Sequence, residues 1–407
     1  MAHMLIIGGG MAGGTAAATL RDSGFDGEVT VVAAEGHPPY QRPPLSKGFL
    51  AGSEGLDAVH LHPADWYAER DITLRTGVAA TGLDPAARTV TLADGTELGY
   101  DAVLLATGAS PRSLPLPGHD LAGVHQLRRI EDSEALKEAL QDGGKRLVLI
   151  GSGWIGMEVA STARGYGNEV TILERDPVPL AAALGERLGS AFAQMHREHG
   201  VDLRTSANVE RITGEGRADG VVVDGETVPA DLVLVGVGAV PNTALAEAAG
   251  LRLHNGIVVD PGLHTSAAGV FAAGDVANAY HPVIQRHLRS EHWANALEGG
   301  KVAANSMLGR RAVLDAIPYF YTDQYDLGME LSGYPPLMAD ADLVIRGDLD
   351  AREYIAFWVQ GEHVVGGMNV NVWDVNEAVQ RLIRSGEAVD LDRLQDPDVP
   401  LEDLIPS

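Results

Sequence analysis

Two stretches of this chain place glycines where a main chain must come close to an anion. The first is Leu5-Ile6-Ile7-Gly8-Gly9-Gly10-Met11-Ala12-Gly13, an apolar run that breaks into glycines and resumes as Thr15-Ala16-Ala17-Ala18-Thr19-Leu20. A buried strand turning into a helix has this form. Gly8 allows the tight turn, Gly10 lets a pyrophosphate approach, and Gly13 lets helix pack on strand, while the N–H groups of the helix start at Met11 and Ala12 face the phosphates. The expected second strand, Val29-Thr30-Val31-Val32, leads to Glu35, placed about twenty residues beyond the glycines, where an adenosine ribose needs an acceptor. The plan then returns as Arg146-Leu147-Val148-Leu149-Ile150-Gly151-Ser152-Gly153-Trp154-Ile155-Gly156-Met157-Glu158, followed by Val170-Thr171-Ile172-Leu173-Glu174. A later strand, Ala230 to Ala239 with Gly238, echoes Asp101 to Gly108 with Ala106 and Thr107, and Pro241 and Pro111 follow them. One copy points to a dinucleotide; two copies point to two dinucleotides that meet.

The acid of the second copy selects its ligand. Glu174 at a strand end accepts from ribose hydroxyls and repels a 2′-phosphate, so NADH is expected over NADPH, with the adjacent Arg175 as the one feature that favours the phosphate. Between the copies, Pro38-Pro39-Tyr40-Gln41-Arg42-Pro43-Pro44-Leu45-Ser46-Lys47 is a proline-stiffened loop leading into a helix near Ser46. Arg42 there suits a pyrophosphate and Lys47 a reactive ring. Gly269-Val270-Phe271-Ala272-Ala273-Gly274-Asp275-Val276 reads as a strand ending in an acid that accepts from a polyol and, compatibly with that, can cap a helix. The helix that follows carries Glu291, Trp293, Asn295 and Glu298, and is expected to end at Gly299-Gly300. Trp154 lids a nicotinamide pocket, stacks beside a flavin, or simply packs helix on sheet.

These residues need scaffolds. With 407 residues, two or three domains are expected. The fold class is α/β: two Rossmann-like dinucleotide-binding domains and a C-terminal α+β domain. Ile72-Thr73-Leu74 and Val90-Thr91-Leu92 alternate as antiparallel strands, the latter turning at Asp94-Gly95. The prolines at Pro111, Pro115 and Pro117 suit a domain boundary. From Pro318 onward, Tyr319-Phe320-Tyr321, Leu343 to Ile345, Tyr354 to Val359 and Val364 to Asn369 read as antiparallel strands, Asn376 to Ser385 as an amphipathic helix, and the tail after Glu387 as loosely ordered.

Composition narrows the chemistry. With Cys 0, the chain has no disulfide, thiolate metal site or iron–sulfur cluster of its own, so any electron carrier is bound. Separately, no residue is assigned to a metal. A net charge of −26 argues against nucleic acid and anionic membranes as partners. The sequence shows neither an apolar run of membrane-spanning length nor a basic start with an apolar segment behind it, which gives a cytoplasmic expectation.

Over nearly its whole length the chain resembles the FAD-dependent ferredoxin reductases of the putidaredoxin reductase and Rieske-dioxygenase reductase type. The resemblance rests on the Pro39-to-Lys47 loop, Gly156-Met157-Glu158, Ala273-Gly274-Asp275-Val276, Glu291-His292-Trp293-Ala294-Asn295-Ala296 and Asp323-Gln324-Tyr325. It implies a discontinuous FAD domain (1–113 and 243–317), an inserted NAD domain (114–242) and a C-terminal interface domain (318–407). FAD would then contact Gly8, Gly10, Met11, Ala12, Gly13, Glu35, Arg42, Lys47, Ala79, Ala106, Thr107, Gly108, Arg128, Gly274, Asp275 and Trp293. NAD would contact Gly151, Gly153, Trp154, Ile155, Gly156, Glu158, Glu174 and Gly238. In the implied reaction hydride passes from nicotinamide to flavin and electrons leave singly to a [2Fe-2S] ferredoxin serving an oxygenase such as a cytochrome P450. Lys47, Glu158 and Trp293 are the residues expected at the reacting rings. Arg286, Arg289, Arg310 and Arg311 form the local basic concentration available to an acidic ferredoxin, and the protein is expected as a monomer or weak homodimer. Rival readings change the acceptor to rubredoxin or a small molecule, or make the chain an NADH-sensing binding flavoprotein.

Overall fold

Strands that are apolar on both faces need cover on both faces, and parallel sheets flanked by helices provide it. A computed structural model describes residues 1–405 and contains two such sheets, one in each of two compact units. The first unit comprises Met1–Pro43, Gly55–Ser110 and Ala239–Pro318; the second comprises Pro44–Glu54, Pro111–Gly238 and residues 319–405.

In the first unit His3–Ile7 is the central strand of a parallel sheet in the order Val270–Ala272, Ala102–Leu105, His3–Ile7, Glu28–Val32, Ile72–Arg75. Helix Met11–Asp22 leaves the central strand through the glycines and packs along helix Trp293–Met307. A three-stranded antiparallel sheet, Ala80–Asp84, Thr89–Leu92 and Glu97–Gly99, includes the expected turn at Asp94-Gly95.

The second unit repeats this plan. Its parallel sheet runs Asp202–Arg204, Glu169–Leu173, Arg146–Ile150, Leu232–Val235, Val124–His125, and the antiparallel Val209–Thr213, Gly220–Val223 and Glu226–Pro229 occupy the corresponding place in the chain. The same unit holds an antiparallel sheet in the order Tyr319–Gln324, Leu327–Gly333, His363–Val370, Glu353–Gln360, Asp342–Asp348. Helix Asn376–Ser385 lies on it through Ala378, Val379, Leu382 and Ile383. The mixed α/β architecture read from the sequence is therefore the one observed.

Four local expectations are corrected. Ile72–Arg75 is not antiparallel but a parallel edge strand paired with Glu28–Val32, because helix Ala64–Glu69 carries the chain back before it enters the sheet. Gly299 and Gly300 do not end their helix, which continues to Met307. A Cβ on Gly300 would lie 2.6 Å from the Ala12 carbonyl oxygen, so this glycine is where the two helices touch. Asp275 caps no helix; it sits in the 3-10 turn Gly274–Val276, which opens into strand Ala277–His281. The tail is ordered through residue 405: Asp390 caps helix Leu391–Gln395, and the buried Arg346 guanidinium donates to the carbonyls of Leu394, Asp396, Pro397 and Val399.

The helix contact gives a paired prediction. Alanine in place of an unstrained glycine stabilises by restricting the unfolded chain, and exposed Gly165, the last residue of helix Trp154–Gly165 with open space around it, should gain about 0.4–1 kcal/mol as Gly165→Ala. Gly300→Ala should instead cost about 1–3 kcal/mol, because the new methyl meets backbone. Chemical denaturation of the two variants would show shifts of opposite sign.

Candidate active site

At the first glycine turn the missing side chains are replaced by main chain. Gly8 adopts a φ of 132°, and a Cβ there would lie 2.0 Å from the Ala106 carbonyl oxygen. A Cβ on Gly13 would lie 2.0 Å from the Gly8 carbonyl oxygen. Gly10 has a different neighbour: its Cβ would meet Arg42 Nη1 at 3.1 Å, so a guanidinium stands over the turn.

The groups around this turn are held in place. Glu35 accepts from the Tyr40 hydroxyl at 2.5 Å and from Arg42 Nη2 at 2.9 Å, and the Arg42 guanidinium lies 5.0 Å from the Tyr40 ring centre. Met11 and Ala12 begin the helix, and a Cβ on Gly274 would touch the Ala12 side chain at 3.1 Å, which brings the Asp275 turn against that helix start. Thr107 Oγ1 donates to the Asn242 carbonyl, and Gly108, with a φ of 67°, accepts from the Asn242 N–H. Ala79 is exposed and its carbonyl accepts from Ala93. Trp293 is the first residue of its helix; its Nε1 and the Ser290 hydroxyl are shut off from solvent without a protein partner. Buried donors are ordinarily satisfied, so these two call for a ligand. A cation over a glycine turn, an acid at the strand end and unpaired buried donors together fit a dinucleotide.

The second turn has the same construction. A Cβ on Gly151 would lie 2.5 Å from the Gly236 carbonyl oxygen, one on Gly156 would lie 2.9 Å from that of Gly151, and Gly153 has its nearest neighbour at 4.0 Å. Glu174 accepts from the Ser152 N–H at 2.9 Å, the Ser152 hydroxyl at 2.5 Å and the Asp176 N–H at 2.8 Å. Arg175 points to solvent beside Asp176. Trp154 opens helix Trp154–Gly165 with its ring against Phe192 and Phe320, at 5.6 and 4.8 Å between centroids, while Ile155 is exposed. Gly238 adopts a φ of 99° near the Arg112 side chain, and Arg128 begins the turn in which Asp132 accepts main-chain bonds from Arg128 and Arg129.

Glu158 stands on that helix, buried, and its carboxylate has three donors. Lys47 Nζ and the Thr322 hydroxyl each reach Oε1 at 2.6 Å, and the Ser46 hydroxyl reaches Oε2 at 2.5 Å. Tyr321 lies beside the pair, its ring centre 5.1 Å from Lys47 Nζ, and burial with the nearby Asp323, Glu158 and Glu54 carboxylates pushes its hydroxyl up to about 12. Sequence reasoning named Lys47 and Glu158 but assigned no role to Ser46, Thr322, Ser152 or Tyr40. Ser152 was marked by its place between two glycines; Thr322 sits next to the Asp323-Gln324-Tyr325 motif, with nothing local to reveal its bond.

Comparison with known proteins follows from these two turns. The family model described as pyridine nucleotide-disulphide oxidoreductase matches residues 2–300, and the one described as reductase C-terminal matches residues 319–405. The chain belongs to the pyridine nucleotide-disulphide oxidoreductase family. It is 39% identical to the probable ferredoxin reductase CtmF of Castellaniella defragrans, over 99% of this chain and 98% of that one. It is 37% identical to rhodocoxin reductase of Rhodococcus erythropolis, over 98% and 93%. The crystal structure of the covalent putidaredoxin reductase–putidaredoxin complex superposes with a TM-score of 0.95 at 33% identity, covering 99% of this chain and 98% of that one. The enzyme is an oxidoreductase of the ferredoxin reductase branch, a kind that works with a flavin and NAD(P). Despite the family's name it has no cysteine with which to act on a disulphide. Among the described residues no helix is long and apolar enough to cross a membrane, and no cluster of three or more potential ligands could hold a metal.

The buried pair has a measurable signature. Lys47→Met leaves the Glu158 carboxylate without its counter-charge and should cost about 3–5 kcal/mol in chemical denaturation, whereas Lys47→Met with Glu158→Gln should recover most of that loss. A second test uses acid. Burial pushes His196 from 6.5 down to about 4, so the unfolded chain takes up a proton before the folded one does. The contribution is complete above pH 6.5 and disappears as pH falls to about 4, on the order of 3 kcal/mol, and His196→Gln should flatten the stability profile over that interval.

Proposed function

We propose that this chain is an NADH-dependent ferredoxin reductase with FAD on the first glycine turn and NADH on the second, delivering electrons singly to a [2Fe-2S] ferredoxin that serves an oxygenase such as a cytochrome P450. The observation that carries the reading is the duplication: two glycine turns of one construction, each with its own acid, which differ in what surrounds the anion site. The first has a guanidinium over the turn and a second segment, Gly274-Asp275, against its helix, as a longer ligand with a polyol needs. The second has a carboxylate held by Ser152 and, among the described residues, no cation bound to it, as an unphosphorylated ribose needs. Relatives whose names specify ferredoxin and NAD(+) support both halves.

FAD, when bound, accepts two electrons as hydride from NADH and gives them up one at a time. The chain's own residues would bind and orient. Arg42 neutralises pyrophosphate, and Glu35 and Asp275 accept from ribose and polyol hydroxyls. Met11, Ala12, Ala79, Ala106, Thr107 and Gly108 complete the FAD assignment within the first unit, and Trp293 offers its unpaired N–H. In the second unit Gly153, Trp154, Ile155 and Gly238 border the NADH path, Glu174 takes the adenosine ribose, and Glu158, fixed by Lys47, takes the carboxamide of the nicotinamide. The corresponding domains are 1–113 with 243–317 for FAD, 114–242 for NADH, and 318–407 for the acceptor interface.

Arg289 is occupied by Glu291 at 2.5 Å, and Arg310 by the Ser23 carbonyl and Asn305, while Arg286 and Arg311 are exposed. Arg310 is exposed as well, and because Arg310 and Arg311 are adjacent exposed cations, ferredoxin docking is assigned to that end.

Steady-state reduction of a [2Fe-2S] ferredoxin tests the reading: NADH should exceed NADPH at least tenfold in kcat/KM, and Glu174→Ser should narrow the gap. Equal use of the two by the unmodified enzyme would refute the assignment of Glu174. Arg310→Glu with Arg311→Glu should slow ferredoxin reduction severalfold at low salt and leave ferricyanide reduction unchanged.

A further inference from the structure

The donors on Glu158 continue into a longer chain. Gln324 Nε2 donates to the Thr322 hydroxyl at 3.2 Å, His196 Nε2 meets Gln324 Oε1 at 2.8 Å, and the Tyr325 hydroxyl meets His196 Nδ1 at 3.2 Å. Glu158, Thr322, Gln324 and His196 are all 3% exposed or less, so water cannot replace any link. Thr322 and Gln324 are alternate residues of strand Tyr319–Gln324 and share a face. His196 comes from helix Ala181–Glu198, and the Tyr325 N–H donates to the Ser161 hydroxyl, which ties the strand end to the helix that bears Glu158.

The order of donors is forced. A carboxylate only accepts, so Thr322 spends its one proton on Glu158 and offers a lone pair to the Gln324 amide nitrogen. The Gln324 carbonyl then faces His196, whose Nε2 must carry the proton, leaving Nδ1 to accept from Tyr325. We propose that His196 and Gln324 are positioning residues for Glu158: as a neutral imidazole and an oriented amide they fix Thr322 as a donor, and through it the carboxylate setting that receives the nicotinamide end of NADH. This rests on the reading that NADH occupies the second turn. Packing alone does not call for an imidazole here, since an aliphatic side chain would fill the space without a buried polar cost; a donor on one nitrogen and an acceptor on the other is what the chain of bonds uses. Burial keeps the ring neutral, and the titratable groups facing it are His199 and Tyr325, with Asp326 beyond His199 and Arg164 near Tyr325.

Two measurements on the full-length, flavin-loaded enzyme test this. The ¹⁵N resonances of the His196 ring should report the Nε2–H tautomer and stay untitrated from pH 9 to pH 5; an Nδ1–H tautomer, or titration near 6.5, would overturn the proposal. Rapid-mixing flavin bleaching by NADH should be about tenfold slower in His196→Asn, which withdraws the donor from Gln324, and at least half restored in His196→Gln, whose amide nitrogen reaches the Nε2 position. Equal rates for the two amides would reduce His196 to packing and overturn it. Glu158→Gln serves as the benchmark: if it bleaches like the unmodified enzyme, the nicotinamide assignment of Glu158 fails and the proposal with it. If it is slowed while His196→Asn is not, only the positioning role is lost.

Discussion

The structure depends on main-chain oxygens that stand where side chains would otherwise be. In both parallel sheets a strand ends, a carbonyl from the neighbouring strand region fills the place of a glycine Cβ, and the turn's own carbonyl fills the place of the next. With nothing larger than hydrogen at Gly8, Gly13, Gly151 and Gly156, each helix begins directly on its strand. The free N–H groups of that first turn and the acid at the end of the adjacent strand then fall on one side of the sheet. Glu35 and Glu174 have meaning only because the glycines bring the helix starts within their reach.

The parts of this arrangement that are local in sequence were legible there. Strand, glycines, helix and acid lie within about thirty residues of one another in such units, and each carries its own periodicity. The bonds to Glu158 from Ser46 and Thr322, and the bond from His196 to Gln324, span more than a hundred positions and have no periodic trace. Ile72–Arg75 alternates as an edge strand of either sense would, and only the path of the preceding helix makes it parallel. Gly299-Gly300 has the composition of a helix end. It lies within a helix because Ala12 and Thr15 of another helix need the space.

Several arginines of this acidic chain hold main chain and carboxylates in place. Arg21 donates to the carbonyls of Phe25, Gly27, Arg70 and Asp71, Arg42 and Arg289 are bound to carboxylates, and Arg346 gathers the carbonyls of the final segment. A guanidinium offers five N–H donors in a fixed plane, which suits it to main-chain carbonyls in turns and at helix ends.

The Arg346 contacts set different rules for different kinds of sequence change. Its partners in residues 394–399 are carbonyls, which every amino acid supplies, so apart from the buried Leu394 the side chains there can diversify without loosening the end of the chain. Adding or removing one residue would displace all of those carbonyls at once. Residues 396–399 are thus permissive toward substitution and intolerant of changes in length, the reverse of what their lack of regular structure suggests.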